Sequence, residues 1–510
     1  MLRKLRCEWK RGLLPCVLVS SCVITGCAVG PDFQSPEAPT VTRYTETPMP
    51  EQTVAVPAVT HGGAAQGFVS GSVEELLRGK PWWTLFQNSA LDQLIEQALS
   101  NNPTLEEAEA RLRQAREEYL ARSGATRYPS LDLNASVARQ QPNFETMGIT
   151  AMPSPPPFTL YNASVGISYT FDWLGANARA LEGLRAATEI KSWQWEAARL
   201  TLAANIVTAV VSEASLREQM SVLDAMIDAQ QKQLSILEAR RALGGVSSAD
   251  VQMRKSALAE IQARLPPLRQ QLHSTRHQLA LFSGQTPSEA ALPQFYLADL
   301  QLPETLPLTV PSELVRQRPD IRAAEAMLHQ ASANVGVATA NLYPRLTLSG
   351  NFGSASLTGE KLFADGFNLW SLGAGIAQPL FRGGELRANK RAAEAAFDAA
   401  AAGYRQTVLL GFQNVANALR ALEADALALE ARSAVVDETL ATYRLMEARY
   451  QLGGVDQWTV IDAERRYQEA LLARIQSTAN RYADTVALFQ AMGTGAGTLK
   501  ENATDSATSP

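Results

Sequence analysis

The chain has 510 residues, 46% of them hydrophobic and 19% charged, with a formal net charge of −5. This composition excludes a disordered polymer and a collagen-like fibre, and without a basic excess nucleic acid is not expected as a partner. All four cysteines lie at positions 7, 16, 22 and 27, so a chain cut before Cys27 keeps one and forms neither an internal disulfide nor a cysteine metal site.

The charge is uneven, +4 over residues 1–26 and −9 over the rest. The basic start, a short apolar core at Leu13–Val19 and then Ile24-Thr25-Gly26-Cys27 have the layout of a secretory signal over residues 1–26. That core is too short to span a bilayer. An apolar residue, two small residues and a cysteine resemble the lipobox of bacterial lipoproteins, which implies cleavage before Cys27, acylation of Cys27 and, with Ala28 following, delivery to the outer membrane. The other reading is a plain signal peptide with an incidental cysteine. After the leader no run of 18 or more apolar residues is read, so a membrane crossing would require strands closed into a barrel. Residues 27–80, with Pro31, Pro36, Pro39, Pro48, Pro50 and Pro57, read as an extended linker.

From residue 81 the sequence repeats itself. Pro103-Thr104-Leu105-Glu106 has its counterpart in Pro319-Asp320-Ile321-Arg322, Tyr128-Pro129 in Tyr343-Pro344, and Leu243-Gly244-Gly245-Val246 in Leu452-Gly453-Gly454-Val455. The expected organisation is a first repeat at 81–286, a Pro-rich linker at 287–311, a second repeat at 312–493 and a flexible tail at 494–510. Each repeat predicts a helix, a Tyr-Pro stop, two strands, a very long helix, a Gly-Gly turn and a second helix. The segment from about Gly383 to Leu452 predicts one helix of roughly 100 Å at 1.5 Å per residue. Val408, Phe412, Val415, Leu419, Leu422, Ala426 and Leu429 step by four and three along it, the spacing of a coiled coil, as do Ile206, Ala209, Leu216, Met220, Leu223 and Ile227 in the first repeat.

The strands, at about 130–171 and 345–380, alternate with period 2. Leu131, Leu133, Ala135 and Val137 form one apolar row, and Trp370, Leu372, Ala374 and Ile376 another. Such strands suit a lipid-facing barrel or a half-buried soluble sheet. Four strands are too few for a barrel, for which about eight is the practical minimum, so lipid-facing strands would require several chains to share one. The loops Gln141–Phe158 and Ser354–Asn368 would then face outside the cell and the helices would extend into the periplasm.

Enzyme signatures are weak. His273 and His277 stand at i and i+4 without the glutamate of a zinc-protease helix, and the Gly-Gly pairs lack the lysine of a phosphate loop. No catalytic residue, metal or cofactor is expected.

The motif set resembles a known family. Cys27 with Gly30-Pro31-Asp32-Phe33, the Trp82-Trp83…Phe86…Leu91…Leu94-Ile95 entry helix, Arg316…Arg318-Pro319-Asp320-Ile321-Arg322 and Leu452-Gly453-Gly454-Val455 followed by Val460-Ile461-Asp462 look like outer membrane factors of tripartite efflux systems. The resemblance is to the NodT/OprM lipoprotein branch and, more distantly, to TolC, and it covers the mature chain to about residue 493. It implies an α+β, mainly α fold: a homotrimer with a 12-stranded transmembrane barrel, four strands per chain, continued by a periplasmic helical barrel. The Pro-rich linker and the segment after 493 would pack around the tunnel's equator.

By the same resemblance, substrate passes passively, driven by an inner-membrane pump of the resistance-nodulation-division class through a periplasmic adaptor. Gate positions fall on Asp250, Tyr450 and Asp462. The basic latch residue of TolC corresponds to Val455, with Asp456 beside it as partial replacement. The turns Leu243, Gly244, Gly245, Val246 and Leu452, Gly453, Gly454, Val455 become the adaptor-contacting tips. Each acid has a plainer reading as a helix cap or solvated residue. Two other functions remain open, an export channel for type I protein secretion and a lipid-anchored periplasmic coiled-coil scaffold.

Overall fold

A computed structural model describes residues 28–70, 80–143, 148, 155–308 and 310–493. The leader, Cys27, part of the Gln141–Phe158 loop and the tail from 494 lie outside the described residues. In chain order come β1 (Gly67–Ser70), a 3-10 helix (Trp82–Phe86), α1 (Ser89–Asn101), α2 (Pro103–Arg127), β2 (Ser130–Gln140), β3 (Phe158–Phe171), α3 (Ala176–Ala242) and α4 (Ser248–Phe282). They are followed by β4 (Thr305–Leu308), α5 (Pro311–Gln317), α6 (Pro319–Ala340), β5 (Arg345–Ser356), β6 (Asn368–Ala377), α7 (Glu385–Gln451) and α8 (Gln457–Ala491).

The duplication is regular. α3 and α7 are both 67 residues long, and α4 and α8 both 35. Ala176 corresponds to Glu385 and Ser248 to Gln457, an offset of 209 in both cases. Each long helix ends at a glycine in the left-handed region, Gly244 and Gly453, both at φ 75°. The amide of the next glycine reaches back to a carbonyl of the last turn, Gly245 N to Arg240 O and Gly454 N to Arg449 O, each at 2.8 Å. That is the Schellman closure, which satisfies the helix's orphan carbonyls and reverses the chain. Ser247 and Asp456 then cap the returning helices.

The chain divides into two compact units. One holds the described residues up to Ser35, Leu112–Ile190 and Ala324–Tyr404. Its centre is a four-stranded antiparallel sheet in the order β2-β3-β5-β6. The other holds Pro36–Arg111, Lys191–Ala323 and the described residues from Arg405 on. Its core packs Trp82, Trp83 and Phe86 with Leu91 and Ile95 of α1, Ile206 and Val210 of α3, Val415, Leu419 and Leu422 of α7, and Tyr482 and Phe489 of α8. Trp82 stacks on Phe489 with centroids 5.3 Å apart. The heptad residues of α7 are thus the ones removed from water, and this burial stabilises a helix whose opposite face is solvated.

Two expectations are corrected. The entry helix is two elements, since Gln87 takes φ 50° after the 3-10 turn and the extended Asn88 starts α1, its side chain accepting from Leu91 N. The Pro-rich linker contains β4, which pairs in parallel with β1, Phe68 opposite Leu306. α3 contains one 18-residue window apolar enough by length and composition to cross a membrane, which does not overturn the expectation, since a buried core helix meets the same criterion. Its Ile206, Val207, Val210 and Val211 are buried in the core, which gives that apolarity a packing cause.

Candidate functional site

The sheet aligns its apolar rows across all four strands. Leu133 lies opposite Val165, Val165 opposite Phe352 and Phe352 opposite Trp370; Leu131, Ile167, Gly350 and Leu372 form the next rung. The other face carries Ser130, Ser168, Ser349 and Gly373 on one rung and Asn134, Ser164, Gly353 and, at the edge, Leu369 on another. Strand alternation thus produces one apolar face and one small, polar face. The apolar face is open, with Leu133 77% and Leu372 80% exposed. An apolar patch of this extent is stable only when something apolar covers it. β2 and β6 are the sheet's two edges and are exposed along their full lengths, leaving unpaired backbone groups ready to accept further strands.

Aromatic residues gather where the strands meet the helices. Tyr128 precedes β2, Trp173 follows β3 and Tyr343 precedes β5, all at one end of the sheet and all exposed. Trp173 Nε1 donates to Pro344 O at 3.0 Å. A ring of amphipathic aromatics at a strand end is the girdle of a membrane–water boundary.

The described chain starts beside that girdle. Cys27 lies outside the described residues, but Val29 N bonds Leu174 O at 3.0 Å, directly after β3. Asp32 pairs with Arg179 of α3, and Phe33 stacks on His329 of α6 at 4.3 Å. His329 Nε2 meets Glu182 at 2.8 Å, and Glu182 also pairs with Arg179. Gly30 has φ 102°, and a Cβ there would come within 2.5 Å of Gly336 Cα, so the close backbone crossing requires glycine. The Gly-Pro-Asp-Phe motif is therefore a strap that fixes the chain just after Cys27 to the helices beneath the sheet.

At the turns, Leu243 and Leu452 are each 88% exposed. Asp250 forms a capping box with Ser247: its carboxylate accepts from Ser247 N at 3.1 Å while Ser247 Oγ accepts from Asp250 N. Asp456 accepts from Thr459 N at 2.9 Å, and the Thr459 hydroxyl and amide hold its carboxyl below the usual range. Asp462 accepts from Arg465 at 2.7 Å and pairs with Arg466 at 2.9 Å; first the Arg465 hydrogen bond and then both charges hold it low. Tyr450 is half-buried one residue before the end of α7. Among the described residues no hydrogen bond joins these four to one another, so within one chain each of the three acids serves its own helix. The exposed Trp458, at the second position of α8, adds an aromatic to the tip. His273 and His277 are exposed, and no group of three metal-binding side chains occurs among the described residues.

Two buried polar clusters were not foreseen. Arg254 of α4 is 2% exposed and donates to Gln230 of α3 at 2.6 Å and to Glu464 of α8 at 2.8 Å. The usable signal was its place in the apolar row Val251, Leu258, Ile261 and Leu265, where a charge must find a partner. Asp425 of α7 has its carboxyl pushed up to about 7, first by burial and then by the Asp484 carboxylate of α8.

Comparison with known proteins accords with this geometry. A profile of the family described as "Outer membrane efflux protein" matches residues 94–285 and 310–494. A pyoverdine export outer membrane protein of Pseudomonas putida, OpmQ, is 31% identical over 428 residues, which make up 84% of this chain and 90% of that one. The toluene efflux pump outer membrane protein TtgC of the same species is 28% identical over 484 residues, 94% of each chain. Among solved structures, the outer-membrane channel OprN superposes with a TM-score of 0.79 at 28% identity, covering 92% of this chain and 99% of that one. The open state of the Neisseria gonorrhoeae MtrE outer membrane channel gives 0.77 at 25% identity, covering 92% and 99%. The chain therefore belongs to the outer membrane efflux protein family, as a mainly helical α+β efflux channel of the outer membrane with the TolC-like fold.

Proposed function

We propose that three copies of this chain close one 12-stranded barrel, and that this homotrimer is the passive outer-membrane conduit of a tripartite pump for small toxic compounds. The observation that carries the reading is the sheet: an in-register apolar face fit for lipid, a polar face fit for a lumen, and two open edges that other copies would pair. The partners are an inner-membrane pump of the resistance-nodulation-division class and a periplasmic adaptor, which meets the tips Leu243–Val246 and Leu452–Val455. Cys27 carries the acyl chains, and the strap at residues 28–35 holds that anchor at the membrane boundary. Asp250, Tyr450, Asp456 and Asp462 form the periplasmic gate, with contacts between neighbouring copies replacing those each makes alone.

Small-molecule efflux is favoured over protein export because the relatives named above serve pyoverdine export and toluene efflux. The test is dye accumulation in cells that have a pump and adaptor but no outer-membrane channel of their own. Restored dye efflux on expressing this chain supports the reading. Secretion of a type I substrate without dye efflux would favour protein export instead.

A further inference from the structure

The polar face of the sheet is almost free of charge. Its side chains come from the even positions of β2 and β3 and the odd positions of β5 and β6, and only Asp132 and Arg345 among them are charged. Asp132 sits within β2, on the rung shared with Gly166, Asn351 and Ser371. The rungs on either side present Ser130, Ser168, Ser349 and Gly373, and Asn134, Ser164, Gly353 and Leu369, all neutral. Among the described residues the Asp132 carboxylate has no ion pair and no hydrogen bond, so none of them compensates its charge.

Arg345 does not compensate it. It is the first residue of β5, and its guanidinium turns back to the Asn341 side chain at the end of α6. Six residues separate it from the Asp132 rung at Asn351, about 20 Å at ~3.3 Å per residue. That is roughly twice the screening length of about 8–10 Å in physiological salt. The two charges therefore act on separate levels of the face.

We propose that Asp132 sets the charge preference of the barrel lumen, making it pass cations, inorganic ions and cationic amphiphilic substrates alike, more readily than anions of equal size. This rests on the trimeric-barrel reading: three-fold closure puts three Asp132 carboxylates at one level of a wall whose other charge, Arg345, lies about 20 Å away along the strands. A fixed ring of one sign of charge bounded by a low-dielectric wall concentrates its counter-ions.

The test uses the purified full-length channel in planar bilayers. Asn134→Cys, two residues along the same face, is introduced with and without Asp132→Asn. Its rates of modification by a cationic and an anionic methanethiosulfonate of similar size are compared, and reversal potentials are read in a dilute potassium chloride gradient. With Asp132 present the cationic reagent reacts several-fold faster than the anionic one; with Asp132→Asn the ratio falls toward one, and the reversal potential moves toward that of a less selective pore. A conducting channel whose ratio is indifferent to Asp132→Asn overturns this inference alone. A protein that neither conducts nor reacts at position 134 overturns the barrel reading, and this inference with it.

Discussion

At the scale of single residues, the Asp425–Asp484 pair is the clearest source of pH dependence. In the first repeat the positions 209 earlier are Leu216 and Thr275, both buried, so packing at this level does not require an acid. Because burial and the Asp484 carboxylate raise Asp425 to about 7, the folded protein holds this proton more tightly than the unfolded chain does. That contribution to stability is complete at acid pH and is lost as pH rises from about 4 to about 7. Asp425→Asn is expected to flatten the decline and to raise the melting temperature of the detergent-solubilised protein at pH 8 by roughly 2 °C. Parallel pH–melting curves for the two proteins would contradict this. Asp462 calls for a different readout. Its contacts stay within its own helix turn, so Asp462→Ala should leave folding nearly intact, as expected for exposed pairs worth about 0–1 kcal/mol. If it gates the periplasmic end, the same substitution raises the idle conductance and the cells' sensitivity to large antibiotics. Unchanged leakage would remove Asp462 from the gate.

At the scale of elements, the two helix hairpins are pinned together where Arg254 of α4 reaches Glu464 of α8. Removing one member of a buried pair strands the other, so Arg254→Ala is expected to cost about 3 kcal/mol, whereas Arg254→Met with Glu464→Leu recovers most of it. Chemical denaturation of the three proteins checks this, and equal losses in the single and double variants would contradict it. This contact also marks where sequence reading stops. The long helices were legible because their apolar residues step by three and four over many turns, and the strands because period 2 cannot be confused with that. The reversals at Gly244 and Gly453 were legible because a left-handed closure favours glycine. What stayed hidden depends on partners remote in sequence. β4 is a four-residue segment containing Pro307, and it becomes a strand only because β1 lies beside it. The Trp82–Phe86 turn breaks from α1 at Gln87, whose positive φ no local pattern announces. The strap residues Asp32 and Phe33 were recognised as a motif, but the Arg179 and His329 that receive them lie about 150 and 300 residues away along the chain. Of the candidate gate, the capping roles of Asp250 and Asp456 were readable from their position just after a glycine turn, and contacts with other copies were not.

At the scale of the whole molecule, the exposed apolar sheet and its two free edges set the requirement that everything else must meet. A chain with this face open to water would aggregate edge to edge; closure by identical copies would remove the edges, and lipid would cover the apolar face. The proposed acylation of Cys27 has a supporting role. Cys27→Ser should abolish palmitate labelling while leaving the barrel able to form, because the strand pairing and the girdle at Tyr128, Trp173 and Tyr343 are independent of it. Loss of outer-membrane insertion in that variant would instead make the lipid essential to assembly. The central claim, that several copies share one barrel, is tested most directly by measuring oligomer mass and single-channel conductance on the same detergent-extracted sample. The account predicts a trimer that gives small, discrete conductance steps in planar bilayers. A monomer or dimer that never conducts would contradict it.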